Sequence, residues 1–229
     1  MKYTYLIFIT LFAAACAPTR FIEPVEEGKL AAGATFGGPL IDFAGTPIPV
    51  PLTSLEVGYG FKENLTFSGG LHTTAAVFGN LQIDLGGTYK FLGQERFRPN
   101  LSVSPSLNTV WDIYDKKIKA WPVIDLNAYW NYGKRNNYVY VGANSFVEFS
   151  KTRALDQDQP TPILFNPQIG HVLKGKDRKW EFISEIKLLS PFTNSSYAFV
   201  PYRSFTGDFG ATGIFLGYRY YFNLNEKQK

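Results

Sequence analysis

From Lys29 to Phe222 apolar and polar residues alternate with a period of two, and clusters of turn-forming residues interrupt the alternation every 8 to 15 positions. Asn80–Phe91 is the plainest case. Leu81, Ile83, Leu85, Tyr89 and Phe91 fall on one face, and Asn80, Gln82, Asp84, Thr88 and Lys90 on the other. Ala120–Tyr132 repeats it, with Ile124, Leu126, Ala128, Trp130 and Tyr132 opposite Asp125, Asn127 and Asn131. Tyr138–Phe149 sets Val139, Val141, Ala143, Val147 and Phe149 against Asn144 and Glu148. Followed along the chain, the pattern predicts about ten strands, near 29–37, 52–61, 64–74, 80–91, 100–112, 119–132, 138–149, 162–173, 179–190 and 208–222. Pro105, Pro122 and Pro167 fall inside them, and a residue without an N–H predicts bulges or strand ends there.

The connections alternate as well. Those after even-numbered strands are tight and polar: Lys62–Asn64, Gly93–Pro99, Gly133–Asn137 and Lys174–Arg178. Several after odd-numbered strands are long, namely Gly38–Pro51, Ser150–Thr161 and Pro191–Gly207. Transmembrane β-barrels show this asymmetry, with short periplasmic turns and longer external loops. An even strand count leaves both chain ends on the periplasmic side.

Alternation alone serves a soluble barrel, apolar inside, as well as a membrane barrel, apolar outside. The charged and amide residues at mid-strand share one face (Glu56, Asp84, Asp125, Asn127, Glu148, Gln168, Glu185, Arg219), and the opposite face is aliphatic and aromatic. Charged residues make up only 18% of the chain and aromatic ones 17%, a lean supply for a water-facing sheet and a rich one for interfacial girdles. After the leader no apolar run approaches the roughly 20 residues that a spanning helix needs. In lipid, only a closed sheet pairs every backbone amide. The expectation is an all-β, closed, antiparallel, up-and-down transmembrane β-barrel over 29–222, with about ten strands and eight or twelve as neighbouring counts. It would lie in the bacterial outer membrane, with 223–229 as a periplasmic tail.

The first residues agree with export. Lys2 supplies a positive start, Tyr3–Phe12 an apolar core and Ala13–Ala15 a small-residue cleavage site, so 1–15 is predicted to be a signal peptide. Cys16 is the sole cysteine, which excludes an intramolecular disulfide and calls for another use. Leu11–Cys16 resembles the lipobox of bacterial lipoproteins, with Ala13 where that family usually has Leu. The resemblance implies acylation of Cys16 and makes 16–28 a lipid-anchored linker, its acyl chain entering the inner leaflet; cleavage after Ala15 without acylation is the plainer alternative. Gly217–Phe222 resembles the assembly signal of outer-membrane proteins, with Tyr220 and Phe222 in the two aromatic places after Gly217, which implies recognition by the barrel-assembly machinery. Cys16–Pro24, with Gly37–Ile41 and Pro47–Pro51, is similar to a group of uncharacterised outer-membrane barrel lipoproteins from Bacteroidota. That likeness implies no activity.

Candidate chemistry is sparse. His72, Asp84 and Ser68 share the polar face and test the idea of a catalytic triad, although a histidine satisfied by hydrogen bonds is the simpler expectation. His171 is read as outward and interfacial. Asp156 and Asp158 lack the glycine and further oxygens of a calcium loop, so neither metal nor cofactor is expected. The lumen acids Glu56, Asp84, Asp125, Glu148, Glu181 and Glu185 face Lys29, Lys90, Lys187 and Arg219, and enclosed charges of this kind must pair. A plugged barrel is the expectation, and a narrow cation-preferring path the alternative. The net charge of +4 sits in the short turns and suits anionic headgroups rather than nucleic acid. Long apolar loops (Gly38–Pro51, Phe192–Phe205) suit a protein, lipid or glycan partner outside, and suit equally well a cover packed over the barrel mouth. The sequence therefore predicts a non-enzymatic outer-membrane component in contact with membrane lipids. A small channel is the first alternative and a lipid-modifying enzyme the second.

Overall fold

The computed structural model describes residues 20–150, 158–159, 161–196, 198 and 200–224. Along them run β1 (Lys29–Phe43), β2 (Thr46–Pro49), β3 (Thr53–Lys62), β4 (Leu65–Leu71), a short helix α1 (Thr73–Val77), β5 (Asn80–Leu92) and β6 (Asn100–Asp112). Then follow β7 (Lys117–Tyr132), β8 (Asn137–Val147), β9 (Ile163–Lys174), β10 (Trp180–Asn194) and β11 (Phe209–Asn223). All pairings are antiparallel between neighbours, and β11 returns to β1 from Lys29↔Asn223 to Pro39↔Gly213. Ten strands thus close a barrel. The eleventh, β2, pairs only with the far end of β1, Leu40↔Pro49 to Phe43↔Thr46, and stands clear of the wall.

The faces are those of a membrane barrel. Leu55, Val57, Tyr59 and Phe61 of β3 are exposed, while Ser54 and Glu56 on the opposite face are buried. On β5, Leu81, Ile83 and Leu85 point out and Gln82 and Asp84 point in. An apolar exterior of this extent has no counterpart on a monomeric soluble protein, whereas lipid covers it without cost. Aromatic rings gather at the short-turn end of the outer face. Tyr132 stacks on His171, Trp180 on Tyr218, and Tyr220 meets Phe222 edge-on at 4.9 Å. The chain is a transmembrane β-barrel, of the kind that populates the bacterial outer membrane.

Several local expectations are corrected. Residues 73 and 74 are helical rather than extended: the strand stops at Leu71, and α1 caps this corner through Thr73 and Thr74, both hydrogen-bonded to Thr53. The Gly38–Pro51 segment is not a loop but the end of β1 and its hairpin with β2. Pro105, Pro122 and Pro167 cause no bulge. They keep register opposite Ile124, Leu107 and Ala143, while the shifts lie at Gly60/Lys62, Lys90/Leu92 and Leu189/Asn194. An extended backbone tolerates the fixed φ of proline, so each one removes a single ladder donor and leaves its strand otherwise intact.

Beyond the barrel's long-loop end, the β1–β2 hairpin is braced by the segment before β11. The Asp42 N–H donates to the Pro201 carbonyl, Arg203 N–H donates to Leu40, Ile41 bridges Tyr202, and Arg203 pairs with Asp42. The Arg203 hydrogen bond, then the Gly45 N–H, hold the Asp42 carboxyl below the usual aspartate range. A lowered folded value means that the brace is fully stabilising above the unfolded range near ~3.9 and is lost as pH falls through the folded value. Amide protection of Asp42 and Arg203 should therefore hold from neutral pH to about 5 and fall in acid below ~3.9. Full protection at every pH where the barrel stays folded would overturn this.

Candidate functional site

The lumen holds the functional geometry, and part of what fills it comes from the chain's own start. Residues 20–28 were expected to form a linker below the membrane. Instead 20–25 run inside the barrel, where Phe21, Ile22 and Val25 are 0%, 2% and 1% exposed, and Glu26 and Glu27 stay exposed at its short-turn mouth. Two glycines of β3 make the room. A Cβ on Gly58 would fall 2.5 Å from the Phe21 ring, and one on Gly60 would fall 2.1 Å from the Glu26 carbonyl oxygen. From the other side Ile22 packs among Tyr129, Tyr138, Tyr140, Val172 and Ile183, and Phe21 and Val25 pack with Ala31 and Tyr221.

Buried backbone needs partners, and the lumen wall supplies hydroxyls. Val25 N–H donates to Thr66 Oγ1 at 2.7 Å, the Phe21 carbonyl accepts from Thr88 at 2.8 Å, and the Ile22 carbonyl accepts from Ser102 at 2.8 Å. Thr66, Thr88 and Ser102 come from β4, β5 and β6, so three strands grip one segment. We call it the plug.

Two arginines organise the charges. Arg219 donates to Glu56 and, at 2.6 Å, to Glu181; it also binds the Arg20 carbonyl and lies 4.1 Å above the Phe21 ring. Arg20 makes a two-pronged contact with Asp84 (3.0 and 2.5 Å), and reaches Ser54 at 2.9 Å, Glu56 at 3.4 Å and His72 at 3.3 Å. Glu23 of the plug pairs with Lys174 and accepts from Asn131. Elsewhere Tyr140 donates to Glu185 at 2.8 Å, and Lys187 lies 3.3 Å from Glu185. Asp125 is buried in the β7 wall. Glu148 sits apart, at the long-loop mouth, with Lys119, Trp121 and Ser150. Burial pushes its carboxyl up, and hydrogen bonds from the Ser150 N–H, Trp121, Lys119 and the Ser150 hydroxyl outweigh this, so its pKa ends below the usual glutamate value.

The structure brings His72 and Asp84 together at 3.0 Å, and Arg20 joins them. Both partners recorded for His72 Nε2 are therefore ionic, and the hydroxyl joined to this cluster, Ser54, serves Arg20. That is a clamp for a guanidinium rather than the Ser–His–Asp relay of a hydrolase. Among the described residues no group of three or more His, Cys, Asp or Glu could hold a metal. His171 faces outward, stacked on Tyr132 with 2.5 Å between Nε2 and the phenol oxygen. His171→Ala should lower stability by about 0.5–1.5 kcal/mol, the worth of an aromatic pair, as read from denaturant unfolding in detergent. No change would place the pair among contacts that are geometric only.

Lys29 meets Glu26 at the short-turn mouth, and Lys90 borders an open 600 Å³ groove there with Glu27, Lys62 and Glu63. Gly217 faces the lumen side against Ile183, and Tyr220 and Phe222 face lipid. Cys16, the 1–15 leader, Asp156 and the 225–229 tail lie outside the described residues. Sequence reasoning missed Arg20, Phe21, Ile22 and Val25 as lumen residues. It also missed that the inward face near the loops is partly apolar, with Trp121, Val123 and Phe146 packed together.

No family model matches the chain, and neither does any curated protein sequence. Among solved structures the chain is similar to the outer membrane protein OprG from Pseudomonas aeruginosa, at 12% identity over 88% of this chain and 99% of that one, with a TM-score of 0.33. It is also similar to an outer membrane channel from Pseudomonas putida F1, at 9% identity over 90% and 100% of the two chains, with a TM-score of 0.45. A third is the NanC porin, at 7% identity over 84% and 98%, with a TM-score of 0.41.

Proposed function

We propose that the chain is a non-enzymatic outer-membrane lipoprotein, acylated on Cys16, whose barrel rests closed and whose outward contacts are made by its long-loop end. One observation carries the closed state: the lumen is occupied by the chain's own plug, buried and hydrogen-bonded on several sides. The His72 cluster supports a non-enzymatic reading, because its charges are committed to holding Arg20. Exposed Phe43, Phe192 and Phe205 at the loop end suit a lipid or protein partner outside. Gly217, Tyr220 and Phe222 on the closing strand are the proposed address for the barrel-assembly machinery. The test is electrical. Purified protein in a planar lipid bilayer should leave the baseline conductance unchanged, and steady openings from the unmodified chain would overturn the closed state.

A second reading, a gated path for small cations, is favoured by the acids that the plug neutralises. With Arg20 withdrawn, Asp84 loses its two-pronged partner and Glu56 one of two.

A further inference from the structure

Two guanidinium groups meet inside the barrel, and they are held differently. Arg219 belongs to β11, is fixed by the ladders of the wall, and has a side chain 2% exposed. Arg20 belongs to the plug, outside the sheet, and its side chain keeps 13% of its surface open. Its guanidinium stands near the long-loop mouth: Ser54, which it reaches, is the second residue of β3, and His72 follows the last residue of β4.

The wall around Arg20 has the shape of a cradle for that group. Glu56, Gly70 and Asp84 lie side by side across β3, β4 and β5, Glu56 opposite Gly70 and Gly70 opposite Asp84. The two carboxylates flank a floor that has no side chain. A Cβ on Gly70 would fall 2.3 Å from Arg20 Nη2 and 2.6 Å from Asp84 Oδ2. All three guanidinium nitrogens are engaged: Nε and Nη2 donate to the two Asp84 oxygens, Nη1 donates to Ser54 and, at 3.4 Å, to Glu56, and Nη2 lies 3.3 Å from His72 Nε2. A planar fork of donors spans these acceptors, and an ammonium, a point charge, does not.

The cradle is organised without help from its occupant. Ser54 Oγ lies 2.5 Å from Thr35 Oγ1, Glu56 accepts from Arg219, and Asp84 lies 3.0 Å from His72, so each acceptor has a partner in the wall besides Arg20. Acceptors set in place beforehand bind a ligand at less cost in ordering. With Arg20 withdrawn, enclosed Glu56 and Glu181 share Arg219, and Asp84 keeps an imidazole for its guanidinium. An enclosed carboxylate deprived of its cation is costly, so the wall favours a replacement.

We infer that the cradle of Ser54, Glu56, Gly70, His72 and Asp84 is a binding site for a small solute bearing a monosubstituted guanidinium group, and that Arg20 fills it as the chain's own substitute for that solute. This deepens the gated-path reading above and rests on its premise that Arg20 can leave the wall. A solute of this class competes with Arg20 for Asp84, and its binding releases the plug at that point. Potassium or an alkylammonium ion has no fork to offer and leaves Arg20 in place.

Calorimetric titration in detergent tests the site, with methylguanidinium as the probe and methylammonium as its control. Arg20→Ala should bind methylguanidinium at least about tenfold more tightly than the unmodified chain, where a tethered arginine competes at an effective concentration of millimolar order. The same variant should bind methylammonium roughly tenfold to hundredfold more weakly than methylguanidinium, the factor that one lost hydrogen bond to a charged group accounts for. Arg20→Lys keeps a cation beside Asp84 and so guards against loss of the fold; it too should bind methylguanidinium more tightly than the parent. A folded variant that binds the two probes alike, or binds neither, overturns the cradle. A planar bilayer then separates the site from the path it rests on. Methylguanidinium in both chambers should produce openings of the unmodified chain that potassium chloride alone does not. Selective binding with a silent bilayer supports the cradle and refutes the gated path, whereas openings that methylammonium produces equally well refute the cradle and keep the path.

Discussion

Replacing Arg219 by methionine is expected to lower the unfolding free energy of the barrel in detergent by about 3–5 kcal/mol, the usual effect of deleting one partner of a buried ion pair. The reason lies in what stays behind. Glu56 is held by Arg219 and, at 3.4 Å, by Arg20, and Glu181 lies 2.6 Å from Arg219; all of these groups are enclosed. Methionine fills most of the volume above Phe21 but leaves two carboxylates without their principal cation. The combined variant Arg219→Met, Glu56→Gln, Glu181→Gln should recover a large share of the loss, since uncharged groups need no counter-ion, and the non-additivity of the three changes measures the coupling. A surface pair gives the contrast. Lys117 and Asp115 are 74% and 39% exposed, and Lys117→Ala should cost no more than about 1 kcal/mol. If Arg219→Met unfolds at the same denaturant concentration as the parent, the charge hub is not what ties β3, β10, β11 and the plug together.

How much of this was written in the alternation can be judged residue by residue. The period of two placed Glu56, Asp84 and Arg219 on the enclosed face and Leu55, Ile83 and Tyr220 on the lipid face, because a side chain's parity fixes its face once a single strand is anchored. Strand number followed from turn chemistry. What parity cannot report is which residues from outside the sheet fill the centre. Phe21-Ile22-Glu23-Pro24-Val25 has no strand period and stands before the first strand, so it reads as a linker. Its signal was indirect: Gly58 and Gly60 recur on the enclosed face of β3, where a barrel without a plug would carry bulk. Trp121 and Val123 share parity with Asp125 and so were legible as enclosed, but apolar residues on a polar face do not by themselves report that the lumen is packed there. Helix α1 was not legible, because five residues are too few to establish a period of 3.6.

The double substitution Gly58→Leu, Gly60→Leu should expel the plug and turn a silent barrel into a conducting one. Burying Phe21, Ile22 and Val25 stabilises the inserted segment by about 1.5–3 kcal/mol each. Ordering its backbone, Arg20 to Glu26, opposes this by about 1–2 kcal/mol per residue. The ordering cost is the larger of the two sums, so the plug's hydrogen bonds and ion pairs are what hold it in place. Forcing a side chain into a filled core costs about 1–3 kcal/mol at each site, enough to tip that balance. Neither clash is easily relieved in place. Behind Phe21 stands Arg219, and the groups met at Gly60 are the backbone carbonyls of Val25 and Glu26, next to the N–H held by Thr66. The wall itself should survive, because Leu55, Val57, Tyr59 and Phe61 keep their lipid-facing positions and β3 keeps its ladders to β1 and β4. With the plug goes Arg20, which leaves Glu56, Asp84, Asp125, Glu181 and Glu185 inside against Lys187 and Arg219. The opened lumen should therefore prefer cations, as read from the reversal potential in a salt gradient. A folded double variant that stays electrically silent would mean that residues 20–26 are not what closes the barrel. Openings that prefer anions would mean that the acids of the wall do not face the path.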